Sequence, residues 1–207
     1  MRRVEGFETS VFINCPFDEA YMLLLRPILF TIIDLGLYPR LALESLDSGR
    51  PRIEKIIGLI ESSKYAIHDL SRLQAAEVSE YFRLNMPLEL GIDIGCRLFK
   101  GGQWSEKKCL ILEAERFRYQ AAISDMSNSD IAVHSNDPIE ASAVVRNWLN
   151  AEAQLRAPGP ATIYNRFNDF TTDNYDALSL RGYSSRDILR QPIVELIDDM
   201  SGWKRLN

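Results

Sequence analysis

Short apolar runs alternate along the chain with longer segments whose apolar residues recur every three or four positions. Five such runs predict strands near residues 10–15, 37–43, 65–70, 107–114 and 130–134, and the first is short, apolar and β-branched, as is typical of a buried strand. Periodic segments between and after them predict helices that begin near residues 18, 52, 86, 117 and 137. Strands that alternate with helices favour right-handed crossovers, and the pattern therefore predicts an α/β fold with a parallel sheet covered on both faces.

The last fifty residues follow a different pattern. Pro158, Gly159 and Pro160 interrupt the alternation, and two helices are predicted around Tyr164–Leu178 and Arg186–Met200. We therefore expect an α/β domain over residues 1–156 and a helical extension over 157–207, which packs on the domain or on a partner. The polar segment 72–84 lacks a clean period and is predicted to be a loop.

Composition and charge limit the classes of function. The chain has 207 residues, 46% of them hydrophobic, and a formal net charge of -5. This balance argues against binding to a nucleic-acid backbone, which requires a basic face, but it permits a small phosphorylated ligand. We expect a cytoplasmic protein, because the sequence has neither a signal-peptide pattern nor about 20 uninterrupted apolar residues. Three widely spaced cysteines predict reduced thiols, and no metal site is expected.

Polar side chains follow three of the predicted strands. In open α/β sheets, ligands bind beyond the carboxyl ends of the strands, near the point where the strand order reverses. Candidates at the first strand end are Asn14, Pro16, Phe17 and Asp18. The loop after the second strand supplies Glu44, Asp47, Ser48, Gly49, Arg50 and Arg52. The third strand end supplies Asp69, Ser71 and Arg72, and the helix that follows adds Asn85, Met86 and Glu89.

Asp69 and Glu89 are the candidate catalytic pair. Two carboxylates in one cleft can divide the work on an N-glycosidic bond, because one stabilises the sugar's developing charge while the other orients a hydroxyl or handles a proton. Each also has a structural interpretation. A carboxylate such as Glu89 is favoured in the first turn of a helix, and an aspartate such as Asp69 often caps a turn. His68 is expected to be a core histidine, and His134 a surface residue at a strand end.

Three segments together resemble a known superfamily. They are residues 11–18 (Val-Phe-Ile-Asn-Cys-Pro-Phe-Asp), 66–71 (Ala-Ile-His-Asp-Leu-Ser) and 86–95 (Met-Pro-Leu-Glu-Leu-Gly-Ile-Asp-Ile-Gly). Their order along the chain is similar to that of the nucleoside 2-deoxyribosyltransferase group and of its relatives, the bacterial Toll/interleukin-receptor-like (TIR-like) domains. The similarity covers roughly residues 10 to 150 and leaves the C-terminal extension unmatched.

The resemblance implies a flavodoxin-like sheet of five parallel strands and chemistry at the C1′ carbon of a nucleoside, a nucleotide or NAD. It assigns the catalytic carboxylate to Glu89 and the contact with the sugar or base to Asp69. It also implies that Pro16 and Phe17 line the pocket, and that the loop 44–52 gates the site or mediates assembly.

The leading hypothesis is an N-glycosidase or ribosyl-transfer enzyme that acts on NAD or another nucleotide without a cofactor. In it, Phe17 stacks on a ring, and Arg50 or Arg52 binds phosphate. A homo-oligomer is expected, with no membrane or nucleic-acid partner. The alternative is a non-catalytic nucleotide-binding sensor or signalling module of the same fold, and a third possibility is a structural adaptor.

Overall fold

The computed structural model describes residues 6–44, 47–72, 84–116, 118, 123 and 130–207. Most of the predicted loop 72–84 and the helix predicted over 117–126 lie outside these residues. The described part contains one sheet of five strands, which are β1 (Ser10–Asn14), β2 (Tyr38–Arg40), β3 (Tyr65–Asp69), β4 (Lys108–Glu113) and β5 (Ile131–Val133). Its α-helices are α1 (Met22–Asp34), α2 (Arg52–Glu61), α3 (Asn85–Phe99), α4 (Pro138–Glu152), α5 (Pro160–Leu180), α6 (Ser185–Leu189) and α7 (Ile193–Leu206).

The strands are all parallel and lie in the order β2-β1-β3-β4-β5. This is the flavodoxin-like order, and it confirms the predicted fold class. Every residue of β1 and β3 is buried, which explains why these strands appear in the sequence as continuous apolar runs. Asn14 pairs in register with His68, so the carboxyl ends of β1 and β3 are adjacent where the strand order reverses.

Helices cover both faces of the sheet. Successive residues of a strand point to opposite faces, and Val11 and Ile13 accordingly join a core with helices α1, α4, α5 and α7. Phe12 points the other way and packs with Ile56 and Ile60 of α2. Helix α3 covers the neighbouring part of this second face. None of the helices in the described part of the chain combines the length and the apolar composition needed to span a bilayer.

The C-terminal extension contains three helices, and the prediction of two was wrong. The segment predicted as one helix around Arg186–Met200 is divided into α6 and α7, with Pro192 directly before α7. Proline has no backbone N–H and cannot continue a preceding helix, so the division has a local cause. The extension packs on α1, where the Phe30 ring lies 5.7 Å from that of Phe170 and 5.8 Å from that of Trp203.

Candidate functional site

Asn14 joins three elements at the carboxyl end of β1. Its side chain is buried, and its amide nitrogen donates to the Met86 carbonyl oxygen at 2.9 Å. The same nitrogen lies 3.0 Å from Nδ1 of His68 on β3. Because an amide group has two hydrogens, both contacts can form at once. Asn14 therefore positions the first turn of α3 against the switch point of the sheet.

Glu89 lies in this first part of α3 and is almost completely buried, with 6% of its side chain exposed. Burial raises the pKa of Glu89 to about 7, although the positive charge of Arg52 lowers it. The Nη2 atom of Arg52 is 3.8 Å from Oε1 of Glu89. A carboxyl group with a pKa near neutrality is present in both its protonated and its ionised form at physiological pH, as a general acid or base requires.

Cys15 connects the two predicted catalytic carboxylates. Its thiol is buried, and burial raises its pKa, with further increases from the negative charges of Asp69, Glu89 and Asp18. Coulomb interactions fall with distance, so these contributions are consistent with a cluster of negative charge around the end of β1. The joint action of Asp69 and Glu89 on one substrate stays a prediction.

Asp69 is fully buried and surrounded by donors from the protein itself. Its Oδ2 accepts a hydrogen bond from Tyr21 Oη at 2.5 Å, and its Oδ1 accepts one from the Ser71 backbone N–H at 2.8 Å. His134 Nε2 lies 3.1 Å from Oδ2. Burial raises the pKa of Asp69, but its interactions with His134, Ser71 and Tyr21 outweigh this effect and lower the pKa overall. These contacts favour a positioning role, and its contact with a sugar stays a prediction.

His134 is fully buried, and the prediction of a surface residue was wrong. Ser135 and Asn136 both have positive φ, 51° and 56°, so the chain turns sharply after β5. In this turn the Asn136 N–H donates to His134 Nδ1 at 3.0 Å, and the ring points back to the sheet edge. The sequence Ser-Asn-Asp-Pro that follows His134 is typical of a turn, and could have been recognised. Asp69, the residue that the His134 ring approaches, is distant in the sequence.

His68 is a buried core histidine, which confirms its prediction. Its Nε2 lies 3.2 Å from Asp93 Oδ2, and Asp93 Oδ1 lies 3.0 Å from Nζ of Lys107. Burial raises the pKa of Asp93, but His68 and Lys107 outweigh it and lower the pKa overall. Lys107 also donates to the carbonyl oxygens of Ile60 and Ser63. The polar chain that begins at Asn14 therefore continues through the core to the start of β4.

Side chains with metal-binding atoms meet at one place in the described residues. The ligand atoms of His68, Asp93 and Cys109 all lie within 4.8 Å of one another. However, the Lys107 ammonium group already pairs with Asp93 at 3.0 Å and supplies the positive charge there. Burial raises the pKa of Cys109 to about 12, which favours the neutral thiol over the thiolate that binds metals. The donor set does not fit a metal centre.

The end of β4 adds two residues that the sequence did not single out. Glu113 is fully buried, and its Oε1 accepts from Arg118 Nη2 at 2.6 Å and from the Ala114 N–H at 2.8 Å. Arg118 also donates to the Ser71 carbonyl oxygen and so connects the ends of β3 and β4. The sequence signal that could have identified Glu113 is its position, because Glu113, like Asp69, is the last residue of a buried apolar strand.

The remaining predicted binding residues differ in the contacts they make and in how far they are buried. Within the described loop 47–52, Arg52 is the residue that contacts Glu89; Arg50 instead pairs with Glu54 at 3.6 Å. The Gly49 N–H donates to Asp47 Oδ1 at 2.9 Å, which shapes the exposed loop. The other members range from the surface to the interior: Ser48 and Asn85 are exposed, Phe17 is half-buried, and Pro16, Ser71 and Met86 are buried.

The fold and these residues define a flavodoxin-like α/β protein with buried carboxylates at the carboxyl edge of its sheet. Comparisons of the chain with models of protein families, with curated proteins and with solved structures returned no match. The functional argument therefore depends on the geometry of the strand ends and on the chemistry of their side chains.

Proposed function

We propose that the protein cleaves the bond between C1′ and the base of a nucleotide or nucleoside, with NAD as the preferred substrate. The observation that carries this proposal is the position of Glu89, a buried carboxyl group beside the switch point of the sheet, with a pKa of about 7. Ligands bind at such switch points in open α/β sheets. The resemblance of residues 86–95 to the glutamate helix of the deoxyribosyltransferases supports the same assignment.

Glu89 acts as the carboxylate in this proposal. As the C1′–N bond breaks, the bonding electrons leave with the base, and positive charge develops on the sugar. The ionised Glu89 stabilises this charge or forms a bond to C1′ through an oxygen. Water then adds its hydroxyl to C1′ and loses a proton, which releases the sugar with its attached phosphate groups, or a second base takes the sugar by transfer, and the carboxylate is regenerated. This chemistry requires neither a metal nor a redox cofactor.

Arg52 supplies the contact for phosphate. Its side chain is 55% exposed, while the neighbouring Glu89 is 6% exposed, so a ligand can reach the guanidinium from solvent with its sugar near the carboxylate. Arginine binds phosphate oxygens through a planar fork of donors. The half-buried Phe17 at the end of β1 provides a ring face for the base. Asp69 accepts hydrogen bonds from Tyr21 and Ser71, lies 3.1 Å from His134 Nε2 and so positions the strand end.

The experiment is a comparison of base release by the wild-type protein, Glu89→Gln and Glu54→Gln, with NAD and a panel of deoxynucleosides as substrates. Glu54 is a matched control because it is an exposed glutamate, 57% accessible, on the neighbouring helix. We expect wild type and Glu54→Gln to release base at equal rates, and Glu89→Gln to be slower by about 100-fold or more. Equal turnover by Glu89→Gln, or none by wild type with any substrate, would overturn the proposal.

A non-catalytic nucleotide sensor is the second candidate. The contacts that Asp69 makes within the protein favour the sensor, because they leave Glu89 as the better placed of the two predicted carboxylates. Glycosidases generally use two catalytic carboxylates. A sensor binds intact nucleotide, which raises the thermal stability of the folded state without releasing base. The cytoplasmic location and the homo-oligomer remain proposals, and α3 supplies a surface for the latter.

A further inference from the structure

The outward face of α3 is apolar, although the helix lies at the protein surface. At about 100° per residue, the charged residues Glu89 and Arg97 lie within about 40° of Asp93, which points into the core. The opposite side, together with the residue directly before the helix, exposes four large apolar side chains: Leu84 (66%), Leu88 (57%), Leu98 (62%) and Phe99 (87%). A surface helix normally has charged residues outward and apolar residues inward, so this distribution needs an explanation.

The apolar positions form a narrow seam with a regular spacing. Leu84, Leu88, Gly91, Gly95 and Leu98 follow one another at steps of four, three, four and three residues, which is the spacing of a helix-pairing seam. An added Cβ at Gly91 would meet nothing within 4 Å, so the centre of the seam is open. Two helices could approach each other closely at this point.

Apart from Leu84, the seam is also symmetric about the level of Asp93. Gly91 and Gly95 lie two residues to either side of this level, and Leu88 and Leu98 five residues. An antiparallel pair of identical helices exchanges these positions, so that each leucine meets the other leucine and each glycine meets the other glycine. A two-fold interface requires this kind of self-complementarity, because the same patch must fit itself.

We propose that this seam is the interface of a homodimer in which α3 packs antiparallel against α3 of a second copy, with the two-fold axis crossing the seam between Gly91 and Gly95. The absence of charged residues from the outward side of α3 disfavours a charged partner such as a nucleic acid or an acidic peptide. Burial of the four large side chains on both copies removes roughly 1,000 Å² from water, the lower end for specific interfaces. The dimer is therefore reversible and depends on concentration.

Sedimentation equilibrium of the full chain at micromolar concentrations tests this interface. Wild type should approach twice the 23.7 kDa mass of one chain as its concentration rises. Leu88→Glu and Leu98→Glu should stay monomeric with unchanged thermal unfolding, because both leucines are exposed in one copy. Leu180→Glu is the matched control, since Leu180 is 90% exposed on α5, and it should dimerise like wild type. A monomeric wild type, or dimers that persist in both α3 variants, would overturn the proposal.

Cysteine pairing tests the antiparallel direction. Under mild oxidation, a mixture of Leu88→Cys and Leu98→Cys chains should form a disulfide between the two variants, while neither variant alone should do so. Wild type is the control, because Cys96 lies toward the partly buried side of α3. A disulfide between two Leu88→Cys chains would contradict the antiparallel arrangement.

Discussion

Arg52 Nη2 lies 3.8 Å from Glu89 Oε1, but the arginine side chain is 55% exposed and the glutamate 6%. The first residue of α2 thus meets the first part of α3 at the boundary between solvent and core. A charge on Glu89 is disfavoured by burial and favoured by Arg52. A ligand phosphate that binds Arg52 would therefore also change the ionisation of Glu89.

Removal of the Arg52 charge should raise the pKa of Glu89. In Arg52→Gln the favourable interaction with the carboxylate is lost, and the desolvation of Glu89 acts alone. A carboxyl-carbon NMR titration of selectively labelled glutamate measures this change. Arg50→Gln is the control, because Arg50 pairs with Glu54 and not with Glu89. Equal pKa values for Glu89 in the two variants would show that the Arg52 contact has no electrostatic effect.

Glu89→Gln should stabilise the protein in alkaline solution. The Glu89 pKa of about 7 exceeds the ordinary value of 4.5, so the stability it contributes is present below pH 4.5 and is lost as the pH rises through 7. Glutamine stays neutral throughout. Urea unfolding measures the free energy of unfolding of the variant relative to wild type. This relative value should be higher at pH 8 than at pH 5 by about 1 to 2 kcal/mol, an amount already reduced for solvent screening. A difference that does not change with pH contradicts the account.

Asp69→Asn should destabilise the fold by about 2 to 4 kcal/mol at pH 7, because an amide NH₂ would face groups that need an acceptor. The lowered pKa of Asp69 means that its stabilisation is present above its unfolded-state pKa and is lost as the pH falls through the folded-state value. The difference in the free energy of unfolding between wild type and the variant should therefore become smaller at acidic pH. Chemical denaturation measures it, and Asp176→Asn, an exposed change on α5, should have little effect.

Both histidines of the chain should carry their proton on Nε2 at pH 8. His134 Nδ1 accepts from the Asn136 N–H, and His68 Nδ1 lies 3.0 Å from the Asn14 amide nitrogen, whose other hydrogen goes to Met86. Long-range ¹H–¹⁵N spectra of the imidazole rings identify the protonated nitrogen, and two histidines give a simple spectrum. A proton on Nδ1 of either ring is incompatible with these contacts.

The sheet could be predicted from the sequence because its central strands are buried on both faces. Continuous apolar runs such as Val11–Ile13 have few alternative interpretations when helical segments separate them. The start of α4 near residue 137 could also be predicted from the local sequence. Asp137 caps this helix, and its carboxylate accepts a hydrogen bond from the Ile139 N–H at 2.7 Å. The division between α6 and α7 was also locally encoded, since Pro192 lies within the segment predicted as one helix.

The site was predictable in position but not in detail. Topology brings the ends of β1 and β3 together, and Asn14 accordingly contacts both His68 on β3 and Met86 at the start of α3. Two partners of Asp69 are distant in the sequence, Tyr21 directly before α1 and His134 directly after β5, and no local pattern links them to it. The buried Lys107, whose ammonium group pairs with Asp93, was likewise hidden because lysine is usually a surface residue.

The pH dependence of base release from NAD tests the role of Glu89 most directly. An ionised carboxylate is required to stabilise or attack C1′, so the wild-type rate should rise with pH through a single ionisation near 7. In Arg52→Gln the midpoint should move to higher pH, and in Glu89→Gln the dependence should disappear with the activity. Wild-type and Glu89→Gln rates that coincide across this range would contradict the account.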